Sequence, residues 1–257
     1  MVEREPRYLE YQNGEIVSKP KIVKGHIPEH KEPLFKVAIS LPVYERWEAQ
    51  FGYSLAKLML YSGVGLVSDE VAVISLNMIE ATYLDKARND LVVQALNTDA
   101  THILWLDCDM KFPQDALMHL LATGKEIVGA NYPRRRFPPD HTAFKSVSKE
   151  SNDKHIICRT QVDSKGLEPV DALGFGICLM QTKIFKEMPQ PWFEVNNWGE
   201  DVGFCMKAKE MGYQPYVDHD LSKVVIHYGG MGYSFYHAED YQKMKEEKRE
   251  PRMVEVA

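Results

Sequence analysis

Between residues 36 and 130, short β-branched runs alternate with segments whose apolar residues recur at helical spacing, and this rhythm restricts the fold more than any other feature. KVAISL at 36 to 41 reads as a strand ended by Pro42, and Trp47 to Tyr61 as a helix. The pattern repeats with VAVISL at 71 to 76 as a strand, Ile79 to Leu96 as a helix, and HILWL at 102 to 106 as a strand ending at Asp107. Pro113 is placed to open a helix running to about Ala122, and EIVGA at 126 to 130 is a further strand. Strands that alternate with helices imply a parallel, doubly wound α/β sheet. After Tyr132 the rhythm changes. Short strands are expected at 155–160, 166–173 and 176–180, then a helix at 200–211, strands at 214–217 and 223–227, and a charged surface helix from about His237 to Arg252.

A chain of 257 residues suits one α/β domain with terminal extensions, divided as 1–34, 35–233 and 234–257. Prolines at 6, 20, 28 and 33 and little apolar periodicity mark the first segment as an extension. The longest apolar runs are too short to cross a bilayer, and the N-terminus lacks the apolar stretch of a secretory signal, so a cytoplasmic location is expected. The four cysteines lack CxxC spacing and read as free thiols, implying neither zinc nor disulfides. A net charge of −6 argues against a broad nucleic-acid footprint. The one dense basic patch, Arg134-Arg135-Arg136 between Tyr132 and Phe137, fits either a solvated loop or an anion site.

ILWLDCDM at 103–110 is the sharpest local feature, an apolar strand that stops at two carboxylates one residue apart. In extended backbone, side chains two apart point the same way, so Asp107 and Asp109 would converge on one ligand. Ligands of open α/β sheets bind at the carboxyl ends of strands. Two hard oxygen donors there suit Mg²⁺ or Mn²⁺ completed by the oxygens of a diphosphate, although the same acids could simply cap a turn.

LWLDCDM before a proline-started helix resembles the DxD signature of GT-A glycosyltransferases, especially the family 2-like group. LPVYE at 41–45 resembles the first strand end that meets the nucleotide, and DKARNDLVVQAL at 85–96 the Ala-Arg-Asn helix. DALGFGICLMQTKIF at 171–185 is similar to the glycine-containing acceptor-side segment, WGEDVGFCMKAKEMGYQPYVDHDL at 198–221 to the Glu-Asp helix and the strand after it, and VVIHYGG at 224–230 to the late His-x-Gly element. The ordered set covers roughly residues 36 to 230.

The resemblance implies a GT-A fold, with a mixed, mainly parallel central sheet flanked by helices, and a metal-dependent transfer of sugar from a UDP- or GDP-sugar to an acceptor hydroxyl. It places the metal on Asp107, Asp109 and His227, with His219 as a rival ligand. Pro42, Tyr44, Glu45, Arg88, Gly174, Gly176 and Trp198 would join the two aspartates around the donor, with the Tyr132 to Arg135 loop over the diphosphate. Asp201 would be the base of an inverting reaction, with Glu200 orienting the acceptor; both acids would equally complement a helix dipole. Where many family members end the second strand in an acidic element, this chain has ISLNMIEATYLD, offering Asn77 and Glu80. A haloacid-dehalogenase reading fails on Lys111 at the fifth motif position and on the two strands that precede the motif. A noncatalytic nucleotide-sugar-binding protein and a transferase acting on modified bases in DNA remain as alternatives.

Overall fold

The computed structural model describes residues 11–12, 15–16, 34–44, 46–67, 72–147, 155–195, 198–229 and 232–246. The chain divides into two units, 1–32 and 33–257. Within the first, β1 (Tyr11–Gln12) pairs antiparallel with β2 (Glu15–Ile16); apart from Leu34, the rest of the expected extension lies outside the described residues.

The second unit runs β3 (Phe35–Val43), α1 (Ala49–Ser62), β4 (Ala72–Glu80), α2 (Leu84–Asn97), β5 (His102–Leu106), β6 (Met110–Lys111), α3 (Ala116–Ala122) and β7 (Ile127–Gly129). Then follow β8 (Phe144–Val147), β9 (His155–Ile157), β10 (Leu167–Pro169), β11 (Ile177–Gln181), α4 (Lys183–Glu187) and α5 (Glu200–Glu210). The last elements are β12 (Pro215–Asp218), α6 (His219–Ser222), β13 (Ile226–Tyr228), β14 (Gly232–Ser234) and α7 (Phe235–Glu246).

Seven strands form the central sheet in the order β10-β12-β7-β11-β5-β3-β4. The pairs β4·β3, β3·β5 and β7·β12 are parallel, while β11 runs against both β5 and β7, and β10 against β12. The sheet is therefore mixed and mainly parallel, as expected. Strand β11, from the second half of the chain, separates β5 from β7.

Alternation along the strands builds the two faces. Val37, Ile39 and Leu41 of β3 and Leu104 and Leu106 of β5 pack with Phe51, Leu55 and Leu58 of α1 and Leu117 and Leu120 of α3. Ala38, Ile103 and Trp105 point the other way, to Leu91, Val92 and Ala95 of α2 and Phe204 and Ala208 of α5.

Several boundaries differ from the sequence reading. Strand β3 passes through Pro42, because β5 leaves its side after Ser40 and the proline lies where only β4 is paired. Strand β4 runs on to Glu80, in register with β3 along all its residues, so Asn77 and Glu80 belong to a strand and α2 starts only at Leu84. Here long-range pairing outweighs the helical apolar spacing of residues 79–83. Pro113 lies in the turn before α3, whose first residue is Ala116. The elements β8, α4, α6 and β14 are too short to show a period, and the expected tail helix ends at Glu246 within the described residues.

Candidate active site

The site lies at the carboxyl end of β5, and a turn builds it. Asp107 N donates to Gly176 O at 3.0 Å and Met110 N to Asp107 O at 3.1 Å, so residues 108–109 bend instead of continuing the strand. The extended-backbone reason for convergence is thereby corrected. The carboxylates are nonetheless close enough that the charge of Asp109 raises the pKa of Asp107.

Arg88 of α2 is buried beneath this turn and is held between acids. Its Nη2 donates to Asp107 Oδ1 at 3.0 Å and its Nε to Glu200 Oε1 at 3.3 Å, with the guanidinium 5.2 Å from the Trp105 ring centroid. Burial works against its charge, but Asp107, Glu200 and Asp201 outweigh burial and raise its pKa. Burial also raises the pKa of Asp107, and Arg88 opposes the shift. Nη1 of Arg88 is buried without a hydrogen-bond partner among the described residues.

Asp109 is held from two other directions. Strand β13 docks antiparallel on β6, with His227 opposite Met110 and Tyr228 N donating to Asp109 O at 2.7 Å. This docking sets His227 Nε2 3.5 Å from Asp109 Oδ1, an oxygen that is buried and receives no hydrogen bond among the described residues. The other ring nitrogen of His227, Nδ1, lies 2.9 Å from the carbonyl oxygen of Pro133 and must carry a proton to bond it. Nε2 is thereby left facing the buried Asp109 oxygen, and the two atoms are placed either to pair as ions or to share a cation. Imidazole ligands of metals are oriented in this way by a backbone carbonyl. The remaining oxygen, Oδ2, takes Arg135 Nη1 at 2.8 Å.

His219, the rival ligand, is engaged elsewhere: Nδ1 lies 3.0 Å from Thr160 Oγ1 and Nε2 2.9 Å from Glu168 Oε2. Cys158, Glu168 and His219 bring one ligand atom each to within 4.8 Å of one another. This grouping escaped the sequence reading because its members come from three separated segments. All four cysteines are free and buried, where the sequence suggested burial for three.

Glu200 and Asp201 open α5 behind Gly199, whose φ of 93° only glycine adopts readily. Burial, then the charge of Glu200, pushes the Asp201 carboxyl up to about 7, although Val202 N donates to its Oδ1 at 2.7 Å. Trp198 lies edge-on to His155, with centroids 5.4 Å apart.

Tyr132 fills the room that Gly174 and Gly176 leave. A Cβ at these positions would come 2.5 and 2.7 Å from the phenol oxygen, which accepts Gly176 N–H at 2.7 Å. Tyr132 also packs edge-on against His227, with centroids 5.1 Å apart. In the following loop Arg134 lies over the Phe144 ring, and Arg135, half-exposed, reaches Asp109. Pro42 is buried in β3 and Tyr44 is exposed just beyond it, whereas Glu45 lies outside the described residues.

No family model matches the chain. No curated protein matches it by sequence. Its fold is shared with a solved structure. A197 from STIV aligns with a TM-score of 0.51 and 15% identity, over 76% of this chain and 86% of that one. At that identity the likeness is one of fold alone. GalNAc-T7, solved with UDP, GalNAc and Mn²⁺, aligns with a TM-score of 0.45 and 9% identity over 74% of this chain and 43% of that chain, an overlap too loose to bear on function. No helix among the described residues is long and apolar enough to cross a membrane.

Proposed function

We propose that the chain is a metal-dependent glycosyltransferase that takes a sugar from a nucleoside-diphosphate donor, UDP- or GDP-linked, and passes it to an acceptor hydroxyl. The observation that carries this reading is the orphan Oδ1 of Asp109 facing Nε2 of His227, beside Asp107 at a strand end. These donors fit Mn²⁺ or Mg²⁺, held by Asp109 and His227 with Asp107 acting directly or through water. When bound, the cation offsets charge on the departing diphosphate.

The chain's own groups supply the rest. Arg88 fixes Asp107 in place and opposes the rise that burial imposes on its carboxyl. Arg135, paired with Asp109 without a ligand, is placed to turn to the diphosphate once a cation takes that carboxylate. Asp201, with a carboxyl at about 7, is poised to accept the acceptor's proton near neutral pH, and its action as the base of a direct displacement implies inversion. Glu200, tied to Arg88, holds the start of α5 in place. Ser40 and Asn77, opposite each other on β3 and β4, have buried polar atoms without partners among the described residues. Because Arg135 is paired with Asp109, the loop serves the donor in this reading, not a nucleic-acid acceptor.

The test is calorimetric titration of UDP, GDP, CDP and TDP with and without Mn²⁺, on wild type and Asp109→Ala. Mn²⁺-dependent binding of one nucleotide, lost in the variant, is expected. No binding under any condition would overturn the reading and favour a noncatalytic protein.

A further inference from the structure

Away from the strand-end site, a second set of ligands surrounds a point between β10, α6 and the segment after β9. Glu168 lies on β10 opposite Val217 of β12, and the ladder continues through His219 N, which donates to Gly166 O at 2.9 Å. This backbone pairing sets His219 Nε2 2.9 Å from Glu168 Oε2. Cys158 enters from a third direction, with N donating to Ala143 O at 2.9 Å and Sγ lying 3.7 Å from the same Glu168 oxygen. Two donors of different softness, from two other segments, thus converge on one carboxylate oxygen.

Surrounding groups hold the set as a metal centre requires. Asn131, fully buried, donates from Nδ2 to Cys158 O at 2.9 Å and to Thr160 Oγ1 at 3.3 Å. Thr160 Oγ1 in turn lies 3.0 Å from Nδ1 of His219, the ring nitrogen that faces away from the cluster. The second oxygen of Glu168 is occupied by Lys145 at 2.8 Å, which leaves Oε2 as a single donor. Cys158 and His219 are buried while Glu168 is partly exposed, so one side is open to water.

We infer that Cys158, Glu168 and His219 form a Zn²⁺ site, completed by a water on the Glu168 side. A thiolate, an imidazole and a carboxylate are the donors zinc selects, and the two anions balance its charge. On binding, Cys158 would give its thiol proton to solvent, and His219 would offer Nε2 to the metal with its remaining ring proton on Nδ1, donated to Thr160. Hard Mg²⁺ and Mn²⁺ prefer the oxygen donors of the strand-end site, so the two centres are chemically separate.

Full-length protein stripped with EDTA and titrated with Co²⁺ tests this directly. One equivalent is expected to give an intense thiolate-to-cobalt absorption band that Zn²⁺ abolishes. Cys158→Ser should lose the band, and Asp109→Ala should keep it. Thr160→Val, which removes only the support of the imidazole, should weaken Zn²⁺ about tenfold. Mn²⁺-dependent nucleotide binding should be unchanged in Cys158→Ser, so this inference and the donor-site reading fail separately. Absence of a band in wild type, or its persistence in Cys158→Ser, would overturn the inference. If Cys158→Ser does not fold, the wild-type band together with its retention in Asp109→Ala and weakening in Thr160→Val decides the matter.

Discussion

Arg88 and Asp107 meet at 3.0 Å beneath the turn that ends β5, and the same guanidinium reaches Glu200 on α5. One buried cation therefore ties the strand end to the helix start. Replacing Arg88 with Met removes it while leaving the carboxylates, and should cost about 3–5 kcal/mol by urea denaturation. Arg88→Lys should recover only part of this, because an ammonium cannot fork to both acids. Equal stability of Met and wild type would show that the pair is dispensable.

The carboxyl of Asp201 is raised from 3.8 to about 7, first by burial and then by Glu200. The folded protein thus holds that proton more tightly than the unfolded chain. Its contribution is fully stabilising below the unfolded value and is lost as pH rises through about 7. Asp201→Asn should accordingly melt above wild type at about pH 8, by a few kcal/mol at most, with the gap closing in acid. Transferase activity, once an acceptor is found, should fall on the acid side with the same midpoint and vanish in Asp201→Asn. A gap independent of pH would disprove the shift.

Tyr132 and Gly176 should behave as a coupled pair. Gly176→Ala sets a methyl 2.7 Å from the phenol oxygen, and such overpacking costs about 1–3 kcal/mol. In a Tyr132→Leu background the clash is gone and most of that cost should disappear. A double-mutant cycle by thermal melting reads the coupling; additive losses would mean that the glycine is needed for another reason.

Arg135 competes with any cation for Asp109, but as a half-exposed partner it holds the carboxylate weakly. Arg135→Ala should tighten Mn²⁺ binding without nucleotide by about fivefold at most. It should also weaken nucleotide binding in the presence of Mn²⁺. Calorimetry separates the two effects, and a loss of Mn²⁺ affinity would contradict the competition.

Much of this arrangement was legible in the sequence, for reasons that particular residues make plain. The apolar run into Asp107 and the β-branched strands on either side announce a strand end at a sheet's ligand-binding edge. The pairing of Glu200 and Asp201 at a helix start was equally visible. What was hidden depends on distant partners. Nothing local to His227 says that β13 will dock on β6, and nothing near Gly176 says that Tyr132 will fill its space. The extension of β4 through Glu80 is imposed by β3, against the local helical spacing. Cys158 and His219 looked like unrelated residues because only the β10·β12 ladder and the Asn131 hydrogen bonds bring them together.

Strand β11 lies between β5 and β7, which do not touch each other in the sheet. The alternating segment from 36 to 130, which reads as a self-sufficient half, therefore has no closed sheet of its own. Its last strand waits for a neighbour encoded some fifty residues further on. During synthesis that half must remain open at its centre until Gln181 has emerged. A cut anywhere between β7 and β11 should yield two fragments that stay unstructured apart and recover the fold only when mixed.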